Sequence, residues 1–206
     1  MTAILTGDIV NSRENINQAT WLAPLKKLLN SFGKGPEQWE IYRGDSFQLE
    51  IKDPEKALLS ALKIKALIKG HDRLDVRIAI GIGQKTYKAS RITESNGEAF
   101  IFSGETFNKL GKQKRTIALK TPWADFDETM DIMLRLASIQ MDNWTALTAD
   151  IVKTSLDHPE MTQLQIAKIL KKKSQSDISE GRRRAAFDEI TTMEAYFRTR
   201  VTNYLS

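Results

Sequence analysis

Strand signals alternate with helix signals as far as Lys120, and beyond it only helical periodicity remains. That switch divides the chain into a mixed α+β part and an all-helical part. Thr2–Val10 is an apolar run containing Gly7-Asp8 near its end. Asn17–Phe32 sets Trp21, Leu22, Leu25, Leu28, Leu29 and Phe32 at helical spacing, and Gly33-Lys34-Gly35-Pro36 is expected to stop that helix. Gln38–Tyr42 and Ser46–Ile51 alternate in polarity around a Gly44-Asp45 turn, which reads as a β-hairpin. Pro54 opens a helix that runs to Lys69, with Lys63, Lys65 and Lys69 expected on its solvated face. Asp75–Gly83 reads as a strand, Gly97–Leu110 as a helix and Arg115–Lys120 as a closing strand. The order β-α-β-β-α-β-α-β begins with the split βαβ arrangement. A ferredoxin-like antiparallel sheet, with helices on one face, is therefore expected over residues 1–121.

Pro122 opens the helical part, residues 122–206. From Phe126 to about Leu156 the pattern is that of one long helix through Met130, Leu134, Met141, Trp144 and Ile151. It carries two apolar stripes, which predict packing against the first domain or a homodimer seam. His158-Pro159 breaks the pattern. A compact segment, Met161–Ala186, precedes a final amphipathic helix with Ile190, Met193, Phe197, Val201 and Tyr204 inward.

Composition bounds the chemistry. The 206 residues allow one large domain or two small ones. There is no cysteine, which excludes disulfides, thiolate zinc sites and cysteine nucleophiles, and His71 and His158 are the only histidines. No apolar run is long enough to span a membrane, and the N-terminus has no basic start or cleavable apolar stretch, so a cytoplasmic protein without membrane contact is expected. A net charge of +5 and a pI near 9.3 permit an anionic partner without requiring one.

Two aspartates at strand ends carry the first candidate site. In the split βαβ topology the end of strand one and the start of strand three share an edge, so Asp8 and Asp45 should converge. Paired carboxylates need a counter-charge, and Mg²⁺ with bound phosphate oxygens is a common solution. Here the sequence resembles a known family. Thr6-Gly7-Asp8-Ile9-Val10-Asn11-Ser12-Arg13, then Tyr42-Arg43-Gly44-Asp45-Ser46-Phe47, then Arg77-Ile78-Ala79-Ile80-Gly81-Ile82-Gly83 resemble the SatD family of bacterial proteins. The same blocks are similar to class III nucleotidyl cyclases and GGDEF-type diguanylate cyclases. The resemblance implies a palm-like, cyclase-like domain with Asp8 and Asp45 as metal ligands. It implies a nucleoside triphosphate or other nucleotide beside Ile9, Val10, Gly44 and Ser46. The transition-state Asn and Arg of the cyclases fall at Ile101 and Glu105, so binding without cyclisation is the expectation. Gly33-Lys34-Gly35-Pro36 is too short for a P-loop, and Gly81-x-Gly83 lacks the helix of a dinucleotide fingerprint.

The second candidate lies at about 162–187. Thr162-x-x-Gln165 is a capping box opening a short helix. Lys171-Lys172-Lys173-Ser174 forms a turn, and a second helix starts near Gln175-Ser176. This resembles a bacterial helix-turn-helix, with Ala167 where two helices meet and Ile178 as the buried residue of the reading helix. Gln175, Ser176, Ser179 and Arg182 would face outward to base edges and phosphates, Lys171, Lys172 and Lys173 would meet phosphates, and Arg183 belongs to the same DNA-binding set. The expectation is a SatD-like regulatory protein that binds DNA and a nucleotide with Mg²⁺. The alternatives are a metal-dependent nucleotidyl cyclase or transferase, with the helical unit as adaptor, and an interaction module with vestigial site residues.

Overall fold

Five strands, β1 (Thr2–Val10), β2 (Trp39–Tyr42), β3 (Ser46–Ile51), β4 (Asp75–Gly83) and β5 (Ile117–Lys120), form one sheet in the order β2-β3-β1-β4-β5. The structure is a computed structural model that describes residues 1–12, 18–172 and 174–206. β3 lies between β2 and β1, antiparallel to both, and β4 is antiparallel to β1. β5 departs from the antiparallel expectation: it pairs parallel to β4, and the sheet is mixed. The cause is connectivity. The chain leaves β4 through helix α3 (Glu98–Leu110) and returns to the end where β4 began, as a parallel neighbour requires.

Strand alternation sends side chains to two faces. Leu5 and Ile9 of β1 join Val76, Ile78 and Ile80 of β4 under helices α1 (Ala19–Phe32) and α2 (Ala57–Lys69), where Trp21, Leu25, Leu29, Leu58 and Leu62 are buried. Ile4, Thr6 and Asp8 alternate to the other face. Helices therefore cover both faces of the sheet, not the one face expected from the sequence. Ile4 packs on Ala99 and Phe100 of α3, Thr6 shares a 3.1 Å hydrogen bond with Ser103, and Ala79 and Ala118 meet Phe107 and Leu110. Gly81 makes this possible: a Cβ there would lie 2.2 Å from the Ala99 carbonyl oxygen.

The helical part is α4 (Ala124–Met141), α5 (Ala146–Asp157), α6 (Gln163–Ile169), α7 (Gln175–Arg184) and α8 (Phe187–Leu205). The single long helix expected from Phe126 is two helices. Thr145 ends the run by capping α5, its Oγ1 accepting the Thr148 N–H at 3.2 Å. Phe126, Met130 and Leu134 of α4 and Phe197 and Val201 of α8 belong to the same buried cluster as the sheet, so the core is continuous across Pro122.

Lys65 ties the two parts. Its side chain is fully buried, and Nζ donates to Asp75 Oδ1 (2.9 Å), Asp142 Oδ1 (2.7 Å) and Thr116 Oγ1 (3.2 Å). Lys69 donates to the Asp142 carbonyl at 2.7 Å, and Lys63 pairs with Asp157 at 3.0 Å. None of these lysines forms the solvated face expected of them. Their helix is covered on that side by α5 and the end of α4, which the α2 sequence alone could not reveal. Burial pushes the Asp157 carboxyl up, but hydrogen bonds from Lys63 and Lys153 outweigh it and hold it below the ordinary carboxylate range.

Candidate functional site

The sheet brings Asp8 and Asp45 to one edge, as the topology predicts. Asp8 stands in register with Ser46, and the Ile9 N–H donates to the Asp45 carbonyl at 3.0 Å. That bond occupies the Ile9 amide, so it is not free to face a triphosphate; Ile9 itself is buried and Val10 half-buried. Gly44 is exposed at φ +89°, its carbonyl accepting from Gln18 Nε2 at 3.0 Å. Arg13 lies outside the described residues.

The carboxylates go to different partners. Asp45 accepts from Ser12 Oγ at 2.6 Å and from Ser46 Oγ at 3.4 Å. Asp8 is gripped by Arg77 of β4, whose Nε donates to Oδ1 at 2.9 Å while Nη2 donates to Oδ2. The two-point pairing is the strong fork geometry of guanidinium and carboxylate, and it holds the arginine above its usual value. Tyr42, Ser46, Asp8 and Arg77 form one cross-strand row. Burial raises the Tyr42 phenol, Arg43 opposes that and Asp8 adds to it.

Mg²⁺ does not fit these residues as they stand. Both oxygens of Asp8 are engaged by a cation already, and Asp45 is bound by two hydroxyls. Ile101 and Glu105 are exposed on α3. In the sequence Arg77 stands only inside a motif, with no role assigned to it. The available signal was length: β1 and β4 each have nine residues, and end-to-end antiparallel pairing puts position 8 opposite 77.

The α5-α6-α7 unit is built around Ile151, Ile166, Ala167 and Ile178, with Met161 and Leu170 against them. The Thr162–Gln165 capping box is present, and Ser174 opens α7 with a second one, its Oγ accepting from the Asp177 N–H while Asp177 accepts from the Ser174 N–H at 3.0 Å. Between them α6 closes by paired bonds, Lys172 N to Ala167 O (2.8 Å) and Lys171 N to Lys168 O (3.2 Å), with Lys171 left-handed at φ +53°. This is the Schellman closure, with lysine where glycine is usual. Gly181, which the sequence reading did not single out, lets α7 lie against α5: a Cβ there would come 2.3 Å from Ile151 Cδ1.

Burying Ile178 and Gly181 turns the other side of α7 outward. Gln175, Ser176, Ser179 and Arg183 are exposed and line a shallow hollow together with Glu180. Lys171 is exposed and Lys172 half-buried; Lys173 lies outside the described residues. Arg182 does not join them. Its guanidinium stacks 4.2 Å above the Phe187 ring and donates to Asp188 at 2.8 Å, with 23% of the side chain exposed. Glu180 pairs with Arg184 at 2.5 Å and lies 3.9 Å from Arg183, which trims the positive charge of the face. No protein-family model matches the chain, and a comparison with curated proteins finds no match. Among the described residues, no helix is long and apolar enough to cross a membrane.

Proposed function

We propose that the chain is a DNA-binding regulatory protein of the SatD type, with α6 and α7 as its helix-turn-helix and the sheet part as a ferredoxin-like domain. The observation that carries the reading is the outward face of α7: Gln175, Ser176, Ser179 and Arg183 are exposed together, on a helix pinned by Ile178 and Gly181. Short polar side chains near the N-terminal half of a pinned helix can reach base edges in a major groove, while Lys171, Lys172 and Arg183 meet phosphates. The strand order β2-β3-β1-β4 supports the ferredoxin-like part of the reading.

The test is selection of duplexes from a random library by the full-length protein, followed by anisotropy titration of the enriched duplex. Ser179→Glu is expected to cost at least tenfold in affinity, because a carboxylate faces phosphate and acceptor-rich edges. Lys171→Gln is expected to weaken all sequences alike and lower the slope of log affinity against log salt by about 1. Binding that neither substitution alters would sink the assignment of α7.

Dimerisation is the second element of the proposal, favoured by one feature of α4. Its inward stripe is buried, but Ile132, Leu136 and Ile139, spaced along one side, are 62%, 65% and 66% exposed. Two such stripes packed together would pair the reading helices for two half-sites. Sedimentation equilibrium is expected to give a dimer that Leu136→Lys converts to monomer; a monomer at every concentration would remove it.

The resemblance-based role of Asp8 and Asp45, a nucleotide with Mg²⁺, requires Arg77 to leave Asp8 first. The same pair weighs against the alternative of a metal-dependent nucleotidyl cyclase or transferase.

A further inference from the structure

We infer that Arg77 is the resident cation of the Asp8 site: its guanidinium takes the place at the carboxylate that a divalent ion would hold, and closes the sheet edge to metal. The inference concerns the sheet-edge site of the proposed reading, and its failure is separable from failure of DNA binding.

Three observations support it. The first is the grip itself. Nε and Nη2 of Arg77 engage the two oxygens of Asp8, so a metal would have to displace a charge-assisted pair on both sides of the carboxylate. The second is a prepared seat. Arg77 Nη1 would lie 2.7 Å from a Cβ at Gly111, so the residue that follows α3 leaves room for the guanidinium by having no side chain. Gly111 also stands at the C-terminal end of α3, the negative end of the helix dipole, which favours a cation. The third is the disposition of Asp45. Its carboxylate is held by hydroxyls of Ser12 and Ser46, neutral donors that stabilise its charge without a metal. Each carboxylate at the edge is thus provided for from within the chain.

The consequence is a difference between the parent protein and a single variant. Removing the guanidinium uncovers the Asp8 carboxylate, whose side chain is already 18% exposed with Arg77 in place, and takes away the cation paired with it. A divalent ion is then the available counter-charge. Restoring affinity by deleting a competing cation is worth at least about tenfold, since the metal no longer works against a like charge at contact distance.

The experiment is Mn²⁺ titration of the full-length protein followed by electron paramagnetic resonance, without nucleotide. Wild type is expected to bind no Mn²⁺ that depends on Asp8. Arg77→Gln is expected to bind Mn²⁺ at least about tenfold more tightly than wild type, and Arg77→Gln combined with Asp8→Asn to lose that gain. Gly111→Ala serves as a second variant should Arg77→Gln not fold. Its methyl displaces only the far end of a flexible side chain, so it too is expected to gain Mn²⁺ affinity. Wild-type binding that Asp8→Asn abolishes would overturn the inference. So would a folded Arg77→Gln protein that binds Mn²⁺ no better than wild type, because no metal position would then exist for the arginine to fill. Either result leaves the DNA titrations of α7 untouched.

Discussion

Lys65→Met is expected to lower the unfolding free energy by about 3 kcal/mol, the lower part of the range for breaking a buried ion pair. Methionine fills most of the volume, so the loss reports charge and hydrogen bonding. Lys65 is fully buried and donates to Asp75, Asp142 and Thr116, and its removal leaves Asp142 Oδ1 with the Thr116 hydroxyl alone on that oxygen. Two features moderate the penalty. The Asp142 side chain keeps 35% of its surface exposed, and Asp75 retains Lys69 at 3.6 Å and the Val76 N–H at 2.7 Å. Urea unfolding measures the change. For a chain of this length about 3 kcal/mol corresponds to a fall in Tm of roughly 6–12 °C. The decisive control is Asp142→Asn on the Lys65→Met background. Removing the stranded charge is expected to recover more than about 1 kcal/mol, the signature of direct coupling. A Lys65→Met protein as stable as the parent would mean that the buried ammonium contributes nothing to joining α2, β4 and the end of α4.

Gly81→Ala is expected to be comparably damaging, at about 3 kcal/mol or more, the upper end for overpacking a filled interior. The added methyl would lie 2.2 Å from the Ala99 carbonyl oxygen and 2.4 Å from the Ser103 amide nitrogen. Both are backbone atoms of α3, so a rotamer change gives no relief and the helix must lift from β4. Lifting it would break the Thr6–Ser103 hydrogen bond and open the packing of Ile4 on Phe100. Gly104→Ala supplies the contrast. Gly104 is on the same helix, but a Cβ there meets nothing within 4 Å. That substitution is expected to stabilise by about 0.5–1 kcal/mol through helix propensity alone. Thermal unfolding of the two variants side by side tests the claim; equal effects would show that α3 does not depend on close approach at Gly81.

Much of this was legible in the chain because it follows from local periodicity. β1, β3 and β4 run over the residues that alternation and apolar runs indicate, and Thr162 caps its helix through a side chain three positions from its partner. Capping and alternation are short-range, so the sequence states them directly. The convergence of Asp8 and Asp45 was also accessible, since it depends only on strand order. What lay beyond reach depended on which groups the folded chain lays over one another. The break between α4 and α5 was concealed by apolar residues that keep helical spacing through it. Lys65 reads as a surface lysine until α4 and α5 are laid over α2. Arg182 reads as a DNA-facing residue until Phe187 and Asp188 turn back beneath it.

The amino-acid order by itself therefore determined β1, β3 and β4, the Thr162 cap and the hairpin turn, because each is set by neighbours within a turn or two of chain. Only the tertiary structure decided which cation faces Asp8, which face of the sheet α3 covers, and which charges are buried between the two parts. Those outcomes are contacts between residues as far apart as positions 8 and 77 or 65 and 142. No local preference specifies them; they are set by which strands pair end to end and which helices close over the lysines.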